Sequence, residues 1–242
     1  MSTFVISDIH GNRDFWKLLN KAQFSFLGDK LYIAGDIIDR GEDPLGVLTR
    51  LMKLEKEHPE SIKMLLGNHE LFLKLYLTGR LSRSLYAEFG GESTLRQLDD
   101  FFPDKESKEA LAAYIDKMPL YAEVSSPIYG ETVITHTGID ADHIVYHDNG
   151  DRVDVKASIN SAFSSDPYQY MIGGDLQRGY LPASVLKKLD RLLIVGHVPT
   201  MFLGVRGDVL VSDRYIDIDT GSSYEGGKLS MLCIDDEKVF SV

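Results

Sequence analysis

The sequence predicts an α/β fold with partly parallel strands, and three observations lead there. Short apolar runs alternate with helical patterns through the first third of the chain. Each of the early runs ends in a cluster of polar residues. Strand patterns return in the second half and fill the last third.

The first run, Phe4-Val5-Ile6, leads into Ser7-Asp8-Ile9-His10-Gly11. The second, Leu31-Tyr32-Ile33-Ala34, leads into Gly35-Asp36-Ile37-Ile38-Asp39-Arg40-Gly41, and the third, Met64-Leu65-Leu66, into Gly67-Asn68-His69-Glu70. Runs this short, bounded by turn residues, suit buried strands. Between them, residues 12–22 carry Phe15, Leu18, Leu19 and Ala22 at helical spacing. Asp43-Pro44 reads as a helix start, with Asp as N-cap and Pro at the first helical position. Leu45, Leu48, Leu51 and Met52 then mark one apolar face, and Pro59 lies beyond its end. Residues 71–127 read as mainly helical, with a helix at 107–118 stopped by Pro119 and a break at Gly90-Gly91-Glu92-Ser93 that caps the next helix at Thr94. We take this stretch as an insertion over the site, within a single domain spanning 1–242. Strands are expected at 132–135, 192–195, 209–212, 215–219, 228–234 and 238–242, forming a second sheet packed on the first. Ligands of such folds bind outside the carboxyl ends of the strands, where all three polar clusters fall.

The bulk numbers narrow the function. A net charge of −11 disfavours non-specific nucleic-acid binding. The same field repels phosphate substrates unless metals or local arginines invert it at the site. The single cysteine, Cys233, excludes an intramolecular disulfide and reads as an inert thiol packed in a strand. The N-terminus has no basic region or long apolar stretch of a signal peptide. No apolar run approaches the ~18 residues of a membrane span, so a cytoplasmic protein is expected. Nothing in the sequence specifies an oligomeric state.

The clusters carry metal-ligand chemistry. Asp8 and His10 are two apart, so both can point the same way from an extended segment. Asp36 and Asn68 each follow a glycine, which lets the backbone approach a ligand closely. His136 ends Val133-Ile134-Thr135, and His197 follows Leu192-Leu193-Ile194-Val195-Gly196. Four of the seven histidines therefore stand at strand ends, beside Asp8, Asp36 and Asn68. A mixed Asp/His/Asn set without cysteine suits Mn²⁺, Fe or Zn²⁺ in an open catalytic site. Two divalent ions ~3.5–4 Å apart can acidify a bridging water and clamp phosphoryl oxygens. Asp36 is the candidate bridge.

Taken together, Asp8-Ile9-His10-Gly11, Gly35 to Gly41 and Gly67-Asn68-His69-Glu70 resemble the three signatures of the phosphoprotein phosphatase family, within the calcineurin-like metallophosphoesterases. His136-Thr137-Gly138, Gly196-His197-Val198-Pro199 and Tyr215-Ile216-Asp217-Ile218-Asp219-Thr220-Gly221 extend the likeness, which is strongest to small bacterial and lambda-phage serine/threonine phosphatases. The resemblance implies a central β-sandwich of mixed sheets flanked by helices. It implies Asp8, His10 and Asp36 on a first metal, and Asp36, Asn68, His136 and His197 on a second, with Mn²⁺ the expected ion. A metal-bridging hydroxide would attack directly, with His69 as general acid oriented by Asp39. Arg40 and Asn68 would bind the phosphoryl oxygens. The adjacent Asn68 and His69 would diverge because successive strand residues alternate. The family's second phosphate-binding arginine has two candidates, Arg178 in Gln177-Arg178-Gly179 and Arg152 in a polar loop, and the setting favours Arg178. Ser7 departs from the glycine usual at its position.

The implied substrates are phosphorylated proteins or small phosphoesters, with phosphoserine and phosphothreonine first. The alternative is a symmetrical dinucleoside-tetraphosphate hydrolase. Such relatives typically replace the second aspartate of the middle motif and often end the third motif in aspartate, whereas this chain has Asp39 and Glu70. A non-catalytic binding module on the same fold is the third reading, and the complete ligand set speaks against it.

Overall fold

The computed structural model describes residues 1–148 and 150–242, and its strands form two five-stranded sheets among those residues. Strands β1 (Thr3–Ile6), β2 (Lys30–Ile33) and β3 (Ile62–Met64) lie parallel, with Val5 opposite Tyr32 and Tyr32 opposite Lys63. The second sheet contains β4 (Tyr121–Ser126), β5 (Gly130–Thr135), β6 (Leu192–Val195), β7 (Leu210–Val211) and β8 (Tyr215–Asp217). Within it β5, β6 and β8 are parallel, while β4 and β7 are antiparallel edge strands. The chain then returns to the first sheet through β9 (Ser230–Cys233), antiparallel to β1, and β10 (Val239–Ser241), so these two strands, expected in the second sheet, extend the first instead, because β9 pairs with the free edge of β1.

Side chains alternate across a strand, and the sequence exploits that period. Val5, Ala34, Ile134, Ile194, Ile216 and Leu232 pack into one cluster to which both sheets contribute. Their neighbours Phe4, Ile6, Leu31, Ile33, Val133, Leu193 and Val195 belong to the larger core that includes the helices. A strand covered on both faces needs the near-continuous apolar run seen here, rather than an apolar–polar alternation. The arrangement is the mixed-sheet α/β sandwich expected from the sequence.

Helices α1 (Phe15–Lys21) and α2 (Pro44–Glu57) follow the first two strands, and α2 buries Leu45, Val47, Leu48 and Leu51. Pro44 opens α2, but the Asp43 side chain does not cap it and instead accepts from Arg13 Nε at 3.0 Å. Asn68 and His69 begin α3 (Asn68–Leu77) rather than ending a strand. They diverge because successive helical residues are rotated about the axis, not by strand alternation. After α3 come α4 (Arg83–Tyr86), α5 (Glu92–Phe101) and α6 (Lys105–Ile115). The break before α5 is real, since Gly90 takes φ 101°, which a glycine tolerates and a β-carbon resists. The helical stretch anticipated at 71–127 stops short, because Tyr121–Ser126 pairs with Gly130–Thr135. Helices α7 (Val155–Ser165) and α8 (Pro167–Ile172) fill a region where no motif guided the reading.

Each sheet contains three strands parallel to one another, and all six lead into candidate site residues. The chain leaves β1, β2, β3, β5, β6 and β8 toward Asp8, Asp36, Asn68, His136, His197 and Asp219 respectively. Among the described residues no helix is long and apolar enough to cross a membrane.

Candidate metal centre and active site

The loops that follow these strands are tied to each other by backbone bonds. Asp8 N–H donates to Gly35 O, His10 N–H to Asp36 O at 2.9 Å and Gly196 N–H to His136 O at 3.0 Å. The loops cross closely enough that a β-carbon on Gly35 would lie 2.6 Å from Gly67 Cα, and one on Gly67 would lie 2.3 Å from Asp36 N. Only glycine fits that crossing, which explains the residue before each of the two ligand positions.

One carboxylate holds the crossing together. Glu70 Oε2 accepts from Asp36 N–H at 2.9 Å and Gly67 N–H at 3.1 Å. Its Oε1 accepts from Ile37 N–H at 2.8 Å and Ile38 N–H at 3.3 Å. Glu70 is fully buried, and burial pushes its pKa up to about 7 against the pull of those backbone donors. Hydrogen bonds to a charged group are worth about 1.5–3 kcal/mol each, so four of them can offset much of the desolvation cost. This structural role of Glu70 is separate from its place in the third sequence motif. A usable signal was present: an acidic residue three positions after Gly67, at the head of the apolar run Leu71-Phe72-Leu73, supplies the half of a capping box in which the N3 carboxylate reaches back to the N-cap N–H.

The backbone around the predicted ligands is left-handed, not extended. Asp8, His10, Asp36, Asp39, Arg40 and His197 all have positive φ, between 48° and 75°. They make up six of the nine non-glycine residues of that kind among the described residues. Such conformations cost of order 1–3 kcal/mol each and persist where surrounding structure enforces them. The expectation that Asp8 and His10 project together from an extended segment is therefore corrected: their side chains converge through two left-handed residues.

Asp36 is the common member of the cluster. Its Oδ2 lies 3.8 Å from both His10 Nε2 and His69 Nε2, and its Oδ1 lies 3.4 Å from His136 Nε2. Asp8 Oδ1 lies 3.9 Å from His10 Nε2, and Asp8 Oδ2 accepts from His197 N–H at 3.0 Å. Asn68 Oδ1 lies 2.8 Å from His136 Nε2 and 2.9 Å from His197 Nδ1. All six predicted ligands are thus brought together. Possible ligand atoms of His10, Asp36 and His69 form one group within 4.8 Å, and those of Asp36, His136 and His197 form a second.

The donor set fits divalent cations. His10 Nδ1 donates to Ile38 O at 2.9 Å and His136 Nδ1 donates to Ala34 O at 2.7 Å, since a carbonyl can only accept. Both rings therefore turn a lone pair inward, as second-shell carbonyls do for metal-bound histidines. With the amide oxygen inward, Asn68 sets its own lone pairs against that of His136 Nε2, an arrangement a cation resolves. Burial is the largest cause that moves the pKa of His10, His136 and His197 down and that of Asp36 up. Nearby Asp8 and Glu70 push Asp36 further up. The pocket disfavours both buried anions and protonated imidazoles, and bound divalent ions would relieve the first while replacing the second.

His69 and Asp39 form a separate pair. His69 Nδ1 lies 2.7 Å from Asp39 Oδ2, and both residues are buried. Tyr86 OH donates to Asp39 Oδ1 at 2.7 Å, and Thr94 Oγ1 donates to the same oxygen. Tyr86 ends α4 and Thr94 lies in α5, so these helices orient the pair, a role no local pattern announced. Burial pushes Asp39 up to about 7 while the Thr94, Tyr86 and Arg40 contacts pull it down. Burial, then Arg40, then His136 push His69 well below its usual value. A dianionic phosphoryl group beside Nε2 opposes that shift and favours the protonated ring.

Two arginines border the cluster. Arg40 Nη1 lies 3.2 Å from His10 Nε2, and 3.3 Å from both Ser223 Oγ and Tyr224 OH. A β-carbon on Gly174 would touch both Arg178 Nε, at 3.6 Å, and His197 Cδ2, at 3.5 Å, so Arg178 flanks the site. The preceding Gln177 is buried and donates to Gly196 O at 2.8 Å, anchoring the segment. Arg152 is not brought in, because its guanidinium donates to Asp190 O. The loop after β8 contains Asp219-Thr220-Gly221 of the last sequence motif. It closes the site, with Ser222 Oγ donating to Asp8 O and the Asp8 charge pushing Asp219 up, second to burial.

A family model described as calcineurin-like phosphoesterase matches residues 1–201. The symmetrical bis(5'-nucleosyl)-tetraphosphatase of Shigella dysenteriae is 28% identical over 201 residues, covering 81% of this chain and 62% of that protein. Across the first curated relatives, all of that name, the aligned stretch spans 26% to 62% of their length. A solved structure of a proposed diadenosine tetraphosphatase is similar with a TM-score of 0.59 at 19% identity, covering 99% of this chain and 92% of that one. A protein serine/threonine phosphatase from Saccharomyces cerevisiae is similar with a TM-score of 0.64 at 15% identity, covering 100% of this chain and 79% of that one. At these identities the two structures establish the fold.

The Glu70 clamp makes a direct prediction. Glu70→Gln places an amide N–H against two backbone donors and is expected to cost about 1–3 kcal/mol per orphaned donor. Urea unfolding should show the loss, and elemental analysis should show less bound metal. Wild-type stability with full metal content would refute the clamp.

Proposed function

This chain belongs to the calcineurin-like phosphoesterase family, and from that premise we propose a metal-dependent phosphoester hydrolase whose first substrate class is the symmetrical dinucleoside tetraphosphates. The observation that carries the hydrolase reading is the convergence of Asp8, His10, Asn68, His136 and His197 on Asp36. The substrate class is supported by the names of the curated relatives.

Asp8, His10 and Asp36 would hold one ion, and Asp36, Asn68, His136 and His197 the other. When bound, the two ions, with Mn²⁺ the expected metal, supply Lewis acidity and lower the pKa of water. Arg40 and Arg178 lie where guanidinium groups can bind phosphoryl oxygens, which they do bidentately where a lysine cannot. His69 donates the proton from Nε2 to the leaving oxygen, and the Asp39 carboxylate holds its Nδ1–H and fixes the ring.

A second reading, a serine/threonine protein phosphatase, is favoured by that same pair. A nucleoside diphosphate leaves as a stable anion and needs little proton assistance. A serine or threonine alkoxide needs a proton in the transition state, so a buried, doubly supported acid is of most use there. One comparison separates the readings: initial rates on diadenosine tetraphosphate, a phosphothreonine peptide and a phosphotyrosine peptide. Faster turnover of the dinucleotide, lost in chelator and restored by Mn²⁺, is the expected result. Preference for the phosphothreonine peptide moves the assignment to the second reading, and full activity in chelator sinks both.

His69→Asn is expected to lower kcat on the phosphothreonine peptide by about 10²–10⁴-fold, and on the dinucleotide by much less, while metal content stays near wild type. Because His69 Nε2 lies as close to Asp36 as His10 does, a metal-poor variant would instead make His69 a ligand. Arg178→Ala is expected to weaken inhibition by inorganic phosphate about tenfold. An unchanged inhibition constant removes Arg178 from the site.

A further inference from the structure

The rim of the site carries an aromatic feature that hydrolysis does not require. Phe202, in the turn after His197, is 62% exposed, and Tyr224, in the loop after β8, is 37% exposed. Their ring centroids are 5.1 Å apart with planes at 84°, an edge-to-face pair. Tyr224 is tied to the phosphate-binding arginine, its OH 3.3 Å from Arg40 Nη1 and its ring centroid 5.5 Å from the guanidinium carbon. The Tyr224 ring thus faces Arg40 and meets Phe202, while Phe202 keeps most of its surface in water. Exposing an aromatic ring forgoes burial of apolar area, and single exposed rings are ordinary. Two in contact, fixed by a hydrogen bond to a catalytic cation, form a built surface. Both residues lie beyond residue 201, where the family match ends.

We propose that Phe202 and Tyr224 form a stacking platform for the nucleobase of a nucleoside-phosphate substrate whose phosphoryl group is held by Arg40. The proposal rests on the dinucleotide reading and adds to it the group that recognises the base. Two short steps, 5.5 Å from the guanidinium to the Tyr224 ring and 5.1 Å on to the Phe202 ring, lead from phosphate to platform. A base, ribose and short phosphate chain can follow that line. Stacking on an aromatic side chain is worth about 1–3 kcal/mol per base and is indifferent to which base it is. The platform therefore selects nucleotides over base-free phosphates without selecting adenine over guanine. The acidic surroundings do not oppose this, since a base is neutral and its affinity for the ring needs no charge.

The test is calorimetric titration of the Mn²⁺-loaded full chain with ADP and, separately, with inorganic pyrophosphate, which has the same phosphate chain without a base. Wild type should bind ADP about tenfold more tightly than pyrophosphate. Phe202→Ala should bring the ADP affinity down to that of pyrophosphate, and Phe202→Tyr should restore it. Equal affinities in wild type, or equal weakening of both ligands in Phe202→Ala, overturns the platform. GDP in place of ADP should bind within about threefold; a larger preference overturns the base-indifferent stack. Turnover of diadenosine tetraphosphate is measured on the same preparations, so the two failures stay distinct. Ring-dependent ADP binding without dinucleotide turnover retains the platform and defeats the substrate reading. Dinucleotide turnover without ring-dependent binding does the reverse.

Discussion

Four backbone N–H groups on one buried carboxylate set the geometry on which the site depends. Glu70 gathers the amides of Gly67, Asp36, Ile37 and Ile38, and so fastens the loop after β2 to the start of α3. Without that carboxylate, these four donors would sit buried and unpaired. The clamp also decides where Asp36 points, because its own N–H is one of the four. The carboxylate that both candidate metal positions share is thereby held by a residue that reaches neither.

The left-handed residues at Asp8, His10, Asp36, Asp39, Arg40 and His197 show what the clamp and the crossing loops sustain. Each is unfavourable by itself, and their concentration at one edge marks where packing and hydrogen bonds override local preference. A tight reversal lets several ligands leave short loops and still aim at one point. In an extended segment successive side chains face apart and only every second one turns the same way, so adjacent residues such as Asp39 and Arg40 could not both be aimed by it.

The helices that follow α3 serve the site as well as cover it. Tyr86 and Thr94 both donate to Asp39, and Gly90 O accepts from Arg40 N–H at 3.1 Å. Gly90 also lies against the Arg40 and His69 side chains, where a β-carbon would come within 3.1 Å and 3.5 Å. Residues 86–94, from the end of α4 to the first turn of α5, therefore position both the His69–Asp39 pair and Arg40. The Phe72 ring packs edge-on against the His69 ring, with centroids 5.9 Å apart.

Much of this was legible from the chain alone. Residue type and short-range order are local properties, so strands leading into Asp8, Asp36, His136 and His197 could be read, along with the α/β class and the six candidate ligand residues. The strand at Tyr121–Ser126 could not, because its identity comes from pairing with Gly130–Thr135 rather than from its own half-exposed pattern. Nor could the helical setting of Asn68 and His69, the partners of Asp39, or the exclusion of Arg152. Each of these depends on which distant segments meet, and contacts between residues far apart in sequence leave no mark on local periodicity. The sequence by itself determined which side chains could bind a metal and in what order they come. The tertiary structure decided how they are aimed, since the Glu70 clamp, the left-handed turns and the Tyr86 and Thr94 donors exist only once the two sheets and the helices have packed.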